Sequence, residues 1–549
     1  MQTKINFFII LFFITNSLIS QDNTFISGSF ESNSQFLQDD EGLNFFSPSD
    51  SFRSNNYLQL DFQNGNFSYG IQYESYLPSA LLGYSDVFDN NNGIAQYYLK
   101  YENNKNEITV GSFYEQFGNG LIFRAWEDRQ LGINNSIRGL RYKFNPSENI
   151  ELLAIHGKQR FGFDYTNSVI SGINSNFNLS GILNLKGIDV VAGFSHLNRY
   201  QKLDAGFGEP NSINVKGAKL DLYYKNLYVN VELAKKDPDV LANEGEILSQ
   251  RKYDGTAFQI DLGYSKKGLG INTSLRRLEN FNIYGDKLAE GNIYNQKTLS
   301  YVPALTKQQD YLLTNIYVYN SQPRLVVNNL EKRVGEIGFQ NDIFYTFKKE
   351  SIFGKYKTKL AVNFSYWGEI GASFNEDLSY DVDFVGKGNK YYRDFNIEVK
   401  NTWTKNISSA ITYLDLSIDK GITLGGPLGV DGFIDAKVGV IELNMRDKSR
   451  RNNRFVLQHL WTEQDRKNWL GLVYEIGINN NFNLFISDIW NYGNEEKLHY
   501  YNLGGSYSKG SSRLGFNYGR QRGGLVCVGG VCRFVPESNG FNLSLSHSF

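Results

Sequence analysis

Phe541-Asn542-Leu543-Ser544-Leu545-Ser546-His547-Ser548-Phe549 decides how the rest of this chain is read. Phe541, Leu543, Leu545, His547 and Phe549 share one side of an extended strand; Asn542, Ser544, Ser546 and Ser548 share the other. Alternation of period two gives a sheet one apolar and one polar face. Two architectures fit this pattern. In a transmembrane barrel the apolar face meets lipid and the serine face lines a wet lumen. In a soluble sandwich the same residues form an edge strand packed on a second sheet.

The connections between strands separate the two. Leu58, Leu60 and Phe62 alternate with Gln59 and Asp61; then comes Gln63-Asn64-Gly65-Asn66, and Phe67, Tyr69, Ile71 and Tyr73 resume the alternation. Asn-Gly between two such runs marks a hairpin, and the apolar faces match across the turn. The unit recurs at Ala95–Tyr101, at Leu140–Phe144, across Lys225-Asn226, across Ser265–Gly268 and across Ser508–Ser511. Between these short turns lie long polar connections such as Asn198–Asn211 and Lys235–Asp254. Sorting into short turns and long loops is the habit of outer-membrane barrels, and a sandwich has no reason to adopt it. The expected fold is all-β: one large antiparallel transmembrane β-barrel of about 24 strands (22–26), with short periplasmic turns and long extracellular loops.

Composition agrees. The 549 residues include 36 Tyr and 40 Phe, too many aromatics for a disordered chain, and the mean hydropathy of -0.40 is low for a helical membrane protein. A net charge of -1 offers no basic surface for nucleic acid. Met1–Ser20 reads as a secretory signal peptide, with Lys4 ahead of the apolar Ile5–Ile14 and cleavage expected before Gln21. Its apolar core is too short for a spanning helix. Length alone suggests about three or four domains. Strand signals nevertheless run without a linker from residue 24 to 549, so 21–549 is read as one barrel domain.

A barrel this wide is not filled by its wall side chains. Two stretches are long enough to occupy it. Glu115–Arg138 carries Glu115, Arg124, Glu127, Asp128, Arg129 and Arg138, and is expected to fold inward as a charged constriction. The competing reading is a set of salt bridges fastening that loop to the wall; the two are compatible. Leu278–Glu331 is expected to cover the outer mouth. Cys527-Val528-Gly529-Gly530-Val531-Cys532 predicts a two-residue turn with the cysteines facing each other in a non-hydrogen-bonded pair, hence a disulfide in the last outer loop.

The remaining candidates are weaker. Trp461 and Trp469 flank a polar tip and are expected at the outer membrane interface. His459, Glu463 and Asp465 match no metal spacing, and Asp86–Gly93 lacks the carboxylates of an EF-hand loop. Phosphate-loop, nucleophile-elbow and zinc-protease motifs are missing. The chain is therefore read as non-enzymatic, with no cofactor and no metal.

YEQFGNGL (Tyr114–Leu121), NNSIRG (Asn134–Gly139), YVPALTKQ (Tyr301–Gln308), QHLWTEQDRKNW (Gln458–Trp469) and RQRGGLVCVGGVCRFVP (Arg520–Pro536) resemble segments of one family. It is an uncharacterised, domain-of-unknown-function family of outer-membrane barrels in the Bacteroidota. The resemblance implies a fold and a location, the cell outer membrane, but no activity. Phe549 closing the last strand resembles the signal by which such barrels are inserted, which makes the barrel-assembly machinery and outer-membrane lipid the expected partners. Function is expected to be a porin-like passive channel for small hydrophilic solutes. The alternative is a non-conducting structural or assembly partner of other envelope proteins.

Overall fold

The computed structural model describes residues 24–203, 210–243, 246–288, 297–328, 331–424, 432–447 and 451–549. The expected leader, Met1–Ser20, lies outside them. The wall is a single antiparallel sheet of 24 strands, each paired with its neighbours in chain order. The first strand, Thr24–Leu37, pairs on one side with Phe52–Asn64 and on the other with the last strand, Ser538–Ser548. Phe36 stands opposite Phe541 and Ser29 opposite Ser548, so the sheet closes and no wall edge is left unpaired. The terminal stretch meets the first strand.

The connections sort by end. Tight turns join Asn64 to Phe67, Tyr224 to Leu227, Lys266 to Leu269 and Lys509 to Ser512 at one end, the turn end. At the other, the loop end, lie the connections 38–51, 77–90, 114–136, 280–334 and 522–537. Two turn-end connections are longer and hold a helix, Leu179–Leu183, and a 3-10 turn, Gly354–Tyr356. The stretch Lys235–Asp254 is a correction. It is not a polar loop but the tip of a hairpin between the strands Leu227–Asn243 and Glu246–Lys266. Beyond the apolar belt both faces of a strand meet water, so the alternation fades while the pairing continues.

The outer face carries the belt: Leu99, Val110, Leu140, Ile173, Phe194, Ile411, Ile441, Leu472, Ile486 and Leu503 are all exposed. The inner face is divided along its height, which alternation alone does not reveal. On Phe433–Arg446 the inward positions Ile434, Ala436, Val438 and Val440 are buried and apolar, and Glu442, Asn444 and Arg446 follow toward the turn end. The same division appears on Ile407–Asp419, where Leu414, Leu416 and Ile418 lie at the loop end. The hydrophobic core therefore sits inside the barrel, in its loop-end half.

Candidate functional site

Three loop-end connections turn inward and cover that apolar half. In the first, Glu115–Phe117 pairs with Phe123–Ala125 as a small hairpin. Phe117, Leu121, Ile122 and Phe123 are fully buried against the inward residues Leu153, Ile155, Ile170, Leu197 and Val215. The wall makes room for them with glycine: a Cβ at Gly172 would stand 2.7 Å from the Phe117 ring, and one at Gly217 2.4 Å from Ile122. The hairpin tip goes deep. The Asn119 backbone N–H donates to Glu232 Oε2 at 2.8 Å, and its side-chain amide donates to Asn230 Oδ1 at 2.6 Å. Asn230 is three residues from Leu227, where its strand begins at the turn end, so the tip descends to about 10 Å from that end.

The described residues of the second connection, 280–334, also turn into the lumen rather than covering the outer mouth, which corrects the sequence expectation for Leu278–Glu331: Phe281, Ile283 and Leu299 join the first hairpin's cluster, and the middle of the connection lines the opposite half. Leu313, Ile316, Tyr317 and Tyr319 pack on Trp367, Tyr392, Leu416, Val438, Leu460 and Trp469. The Leu313 N–H donates to the inward Gln458 Oε1 at 2.9 Å, the Trp367 indole donates to the Leu305 carbonyl at 2.9 Å, and Tyr311 reaches Glu442. Apolar residues in the middle of a loop have to be buried, and here the lumen is the place that buries them. Burial, and after it the Glu336 carboxylate, push the Tyr319 phenol well above its ordinary range. Burial followed by Asp465 does the same to Tyr317.

The third is the cysteine hairpin. Gly524–Val528 pairs with Val531–Val535, and Cys527 is disulfide-bonded to Cys532 with their Cα atoms 4.0 Å apart. Its tip also points inward: the Ala304 N–H donates to the Gly530 carbonyl at 2.8 Å. The first two loops are joined as well, through Arg124 N–H to Leu299 O at 2.8 Å, Tyr301 N–H to Gly120 O at 2.9 Å and the Asn135 amide to Thr298 O at 3.0 Å. Together the three form one interlocked layer across the loop-end half.

The sequence-predicted charges are mostly used up within that layer. Glu115 accepts from Arg141 Nε at 2.6 Å, and Arg141 also binds Glu107. Glu127 accepts from Gln72 at 3.1 Å and from Arg129 Nε at 3.2 Å. Arg129 also reaches Glu31 at 2.7 Å. Asp128 closes a local turn by accepting from the Leu131 N–H at 2.9 Å. Arg124 has no carboxylate partner among the described residues; its guanidinium lies 3.9 Å from the Tyr301 ring centroid and 4.9 Å from that of Trp126. Arg138 does not join them. It sits on the outward face of Ile137–Ser147, against Tyr97 and Tyr165. The fastening reading therefore describes Glu115, Glu127 and Arg129 better than open rows of opposite charge.

Trp469 is a further correction. Trp461 is outward and half-exposed, but Trp469 is fully buried in the lumen core, stacked near Tyr500. A strand turned over by one residue exchanges faces, and the hairpin joining the two tryptophans reverses which face each presents. His459 faces Tyr492 and Trp461 on the outside. No group of three His, Cys, Asp or Glu side chains suited to a metal ion occurs among the described residues.

Below the loop layer the lumen opens into polar space. A cavity of about 910 Å³ is bounded by Arg446, Arg454, Glu475, Asn483, Arg513 and their neighbours. A second, of about 690 Å³, is bounded by Lys105, Glu148, Glu151, Asn176, Lys219 and Asp221. A small polar pocket of about 130 Å³ lies against Glu115, Gln116 and Arg141, beside the hairpin of Glu115–Phe117 and Phe123–Ala125. Sequence reasoning missed these turn-end residues, and also Asn230 and Glu232. Only the inward parity of each strand identifies them, and closure of the wall is what groups them.

Solved structures with similar chain paths include the P pilus usher (PapC) translocation pore, 8% identical, covering 95% of this chain and 99% of that one, with a TM-score of 0.41. The siderophore receptor PirA from Pseudomonas aeruginosa is 8% identical, covering 96% of this chain and 80% of that one, TM-score 0.40. The outer membrane protein opdK from Pseudomonas aeruginosa is 10% identical, covering 96% and 99%, TM-score 0.35. No residue role is carried over from them. No curated protein matches the chain by sequence. A family described as a family of unknown function, DUF6029, matches residues 1–549, and the chain belongs to it.

Proposed function

We propose that this chain is an outer-membrane barrel acting as a porin-like passive channel for small hydrophilic solutes, narrowed by the hairpin of 114–136. The observation that carries this reading is the division of the inner face. The turn-end half keeps polar side chains around cavities of about 910 and 690 Å³, while the outer face of the same strands is apolar. The outward belt supports residence in a lipid bilayer. Phe549, at the seam, supports delivery by the barrel-assembly machinery.

One observation favours a second reading, a non-conducting partner of other envelope proteins: the three inward loops share hydrogen bonds and bury Phe117, Trp367 and Trp469 across the lumen. Liposome swelling separates the two. Vesicles carrying the purified barrel should swell in isotonic arabinose faster than empty vesicles and more slowly in a larger oligosaccharide. Swelling equal to empty vesicles for every solute favours the partner reading.

A further inference from the structure

In the 114–136 hairpin Glu115, Glu127 and Arg129 are paired, and the Arg124 guanidinium is held on the Tyr301 and Trp126 rings. A group of cations without carboxylate partners lies lower. Around the larger turn-end cavity, Arg454 is held between Glu442 at 3.0 Å and Glu475 at 2.9 Å. Arg446, Arg513 and Lys405 line the same cavity, and none of them has a carboxylate within 4.0 Å among the described residues. Arg446 ends its strand on the inward parity of Glu442 and Asn444, and its N–H donates to the Asn406 carbonyl at 2.8 Å, next to Lys405. Arg513 stands opposite Ser546, on the polar face of the closing strand. These cations form a crescent along one side of the lumen.

The opposite side differs. The smaller cavity is bounded by Glu148, Glu151 and Asp221 against Lys105 and Lys219, and Lys219 is already paired with Asp221 at 2.9 Å. One half of the turn end therefore carries surplus positive charge and the other does not. Field lines in a low-dielectric cleft are focused, which raises the local concentration of counter-ions by tenfold or more. Guanidinium groups add planar two-point hydrogen bonding suited to carboxylate and phosphate oxygens. A volume of about 910 Å³ lies within the usual size of small-molecule sites.

We infer that the Lys405–Arg446–Arg513 crescent is a binding site for small oxyanions, solutes bearing carboxylate or phosphate, at the turn end of the lumen. The anion preference it gives to transport rests on the channel reading above; the binding itself does not.

Two measurements keep those separate. The folded, full-length barrel and its Arg446→Gln/Arg513→Gln variant are compared, with Lys105→Gln in the other cavity as control and heat-modifiable gel mobility as the check of folding. In planar bilayers under a KCl gradient, the reversal potential of the parent should report anion preference. The double variant should lower the chloride-to-potassium permeability ratio about tenfold; the control should leave it unchanged. Equilibrium dialysis of labelled citrate, and separately of inorganic phosphate, against the detergent-solubilised barrel should show saturable binding weakened about tenfold in the double variant. Saturation with one probe alone identifies which oxyanion class the site takes. Binding lost in the variant without any conductance would uphold the site and reject the channel. Conductance with unchanged ion preference, and no difference in dialysis for either probe, would overturn the inference and mark the crescent as solvated turn charge.

Discussion

Phe549 exchanges two backbone hydrogen bonds with Gly28. Its N–H donates to the Gly28 carbonyl, its carbonyl accepts from the Gly28 N–H, and both are 2.9 Å. The last residue of the chain thus continues the seam that closes the barrel. Its ring lies where a Gly28 side chain would have to go, 2.6 Å from an ideal Cβ.

That contact separates assembly from stability. Phe549 is half-exposed, so Phe549→Ala should leave the melting temperature of refolded barrel nearly unchanged, a cost of about 1 kcal/mol or less. In cells the same substitution should cut the amount of inserted, heat-modifiable barrel severalfold. Gly28→Val should lower both, because the added methyls displace the ring and disturb the seam.

Arg160, on the strand Ile150–Phe161, and Glu74, on Phe67–Tyr76, tie two wall strands together at the loop end. They join through two hydrogen bonds of 2.8 and 2.7 Å, and each is only 1% exposed. The pair links strands that are not neighbours in the wall. Glu74→Ala leaves a buried, uncompensated guanidinium and should cost about 3–5 kcal/mol, whereas Glu74→Leu with Arg160→Met should recover most of it. Urea unfolding of the detergent-refolded protein, followed by gel mobility, reads the difference.

Asn119 holds the tip of the 114–136 hairpin to the wall through Glu232 and Asn230. Asn119→Ala removes the side-chain bond and leaves the Asn230 carbonyl oxygen with one donor fewer, at about 1 kcal/mol. The tip should loosen and unitary conductance in planar bilayers should rise. An unchanged conductance would place the narrowest point elsewhere.

The cysteine hairpin should act as a clip on the second loop. Its disulfide closes a short loop, so its removal by Cys527→Ser/Cys532→Ser should cost about 2 kcal/mol at most. The larger effect should be local: the Gly530–Ala304 bond frays, and trypsin cleaves at Arg522 and Arg533 faster than in the parent. Limited proteolysis with and without reductant should give matching patterns for the reduced parent and the double serine variant.

The wall was legible because each strand repeats one simple rule. Leu58, Leu60 and Phe62 across Asn64-Gly65 from Phe67, Tyr69 and Ile71 announce both register and outward face. The lumen was less so. Leu121-Ile122-Phe123 has no period, yet an apolar triplet within a polar loop is itself a signal of burial that points inward. Arg138 looked like part of the constriction because it is close to Arg129 in sequence, but strand parity turns it outward. Arg446 and Arg513 are far apart in the chain, and only barrel closure brings them to one side of the lumen. Which charges pair also depends on the folded loops: Arg129 finds Glu31, a partner no local spacing indicates.

The channel proposal requires that small solutes pass the inward loops and reach the polar turn-end half of the lumen. Single-channel recording of the purified, heat-modifiable protein tests it most directly, with Asn119→Ala recorded alongside. The parent should show discrete conductance steps, and the variant larger ones. A folded barrel that shows no steps in either form, at any applied voltage, would contradict the proposal.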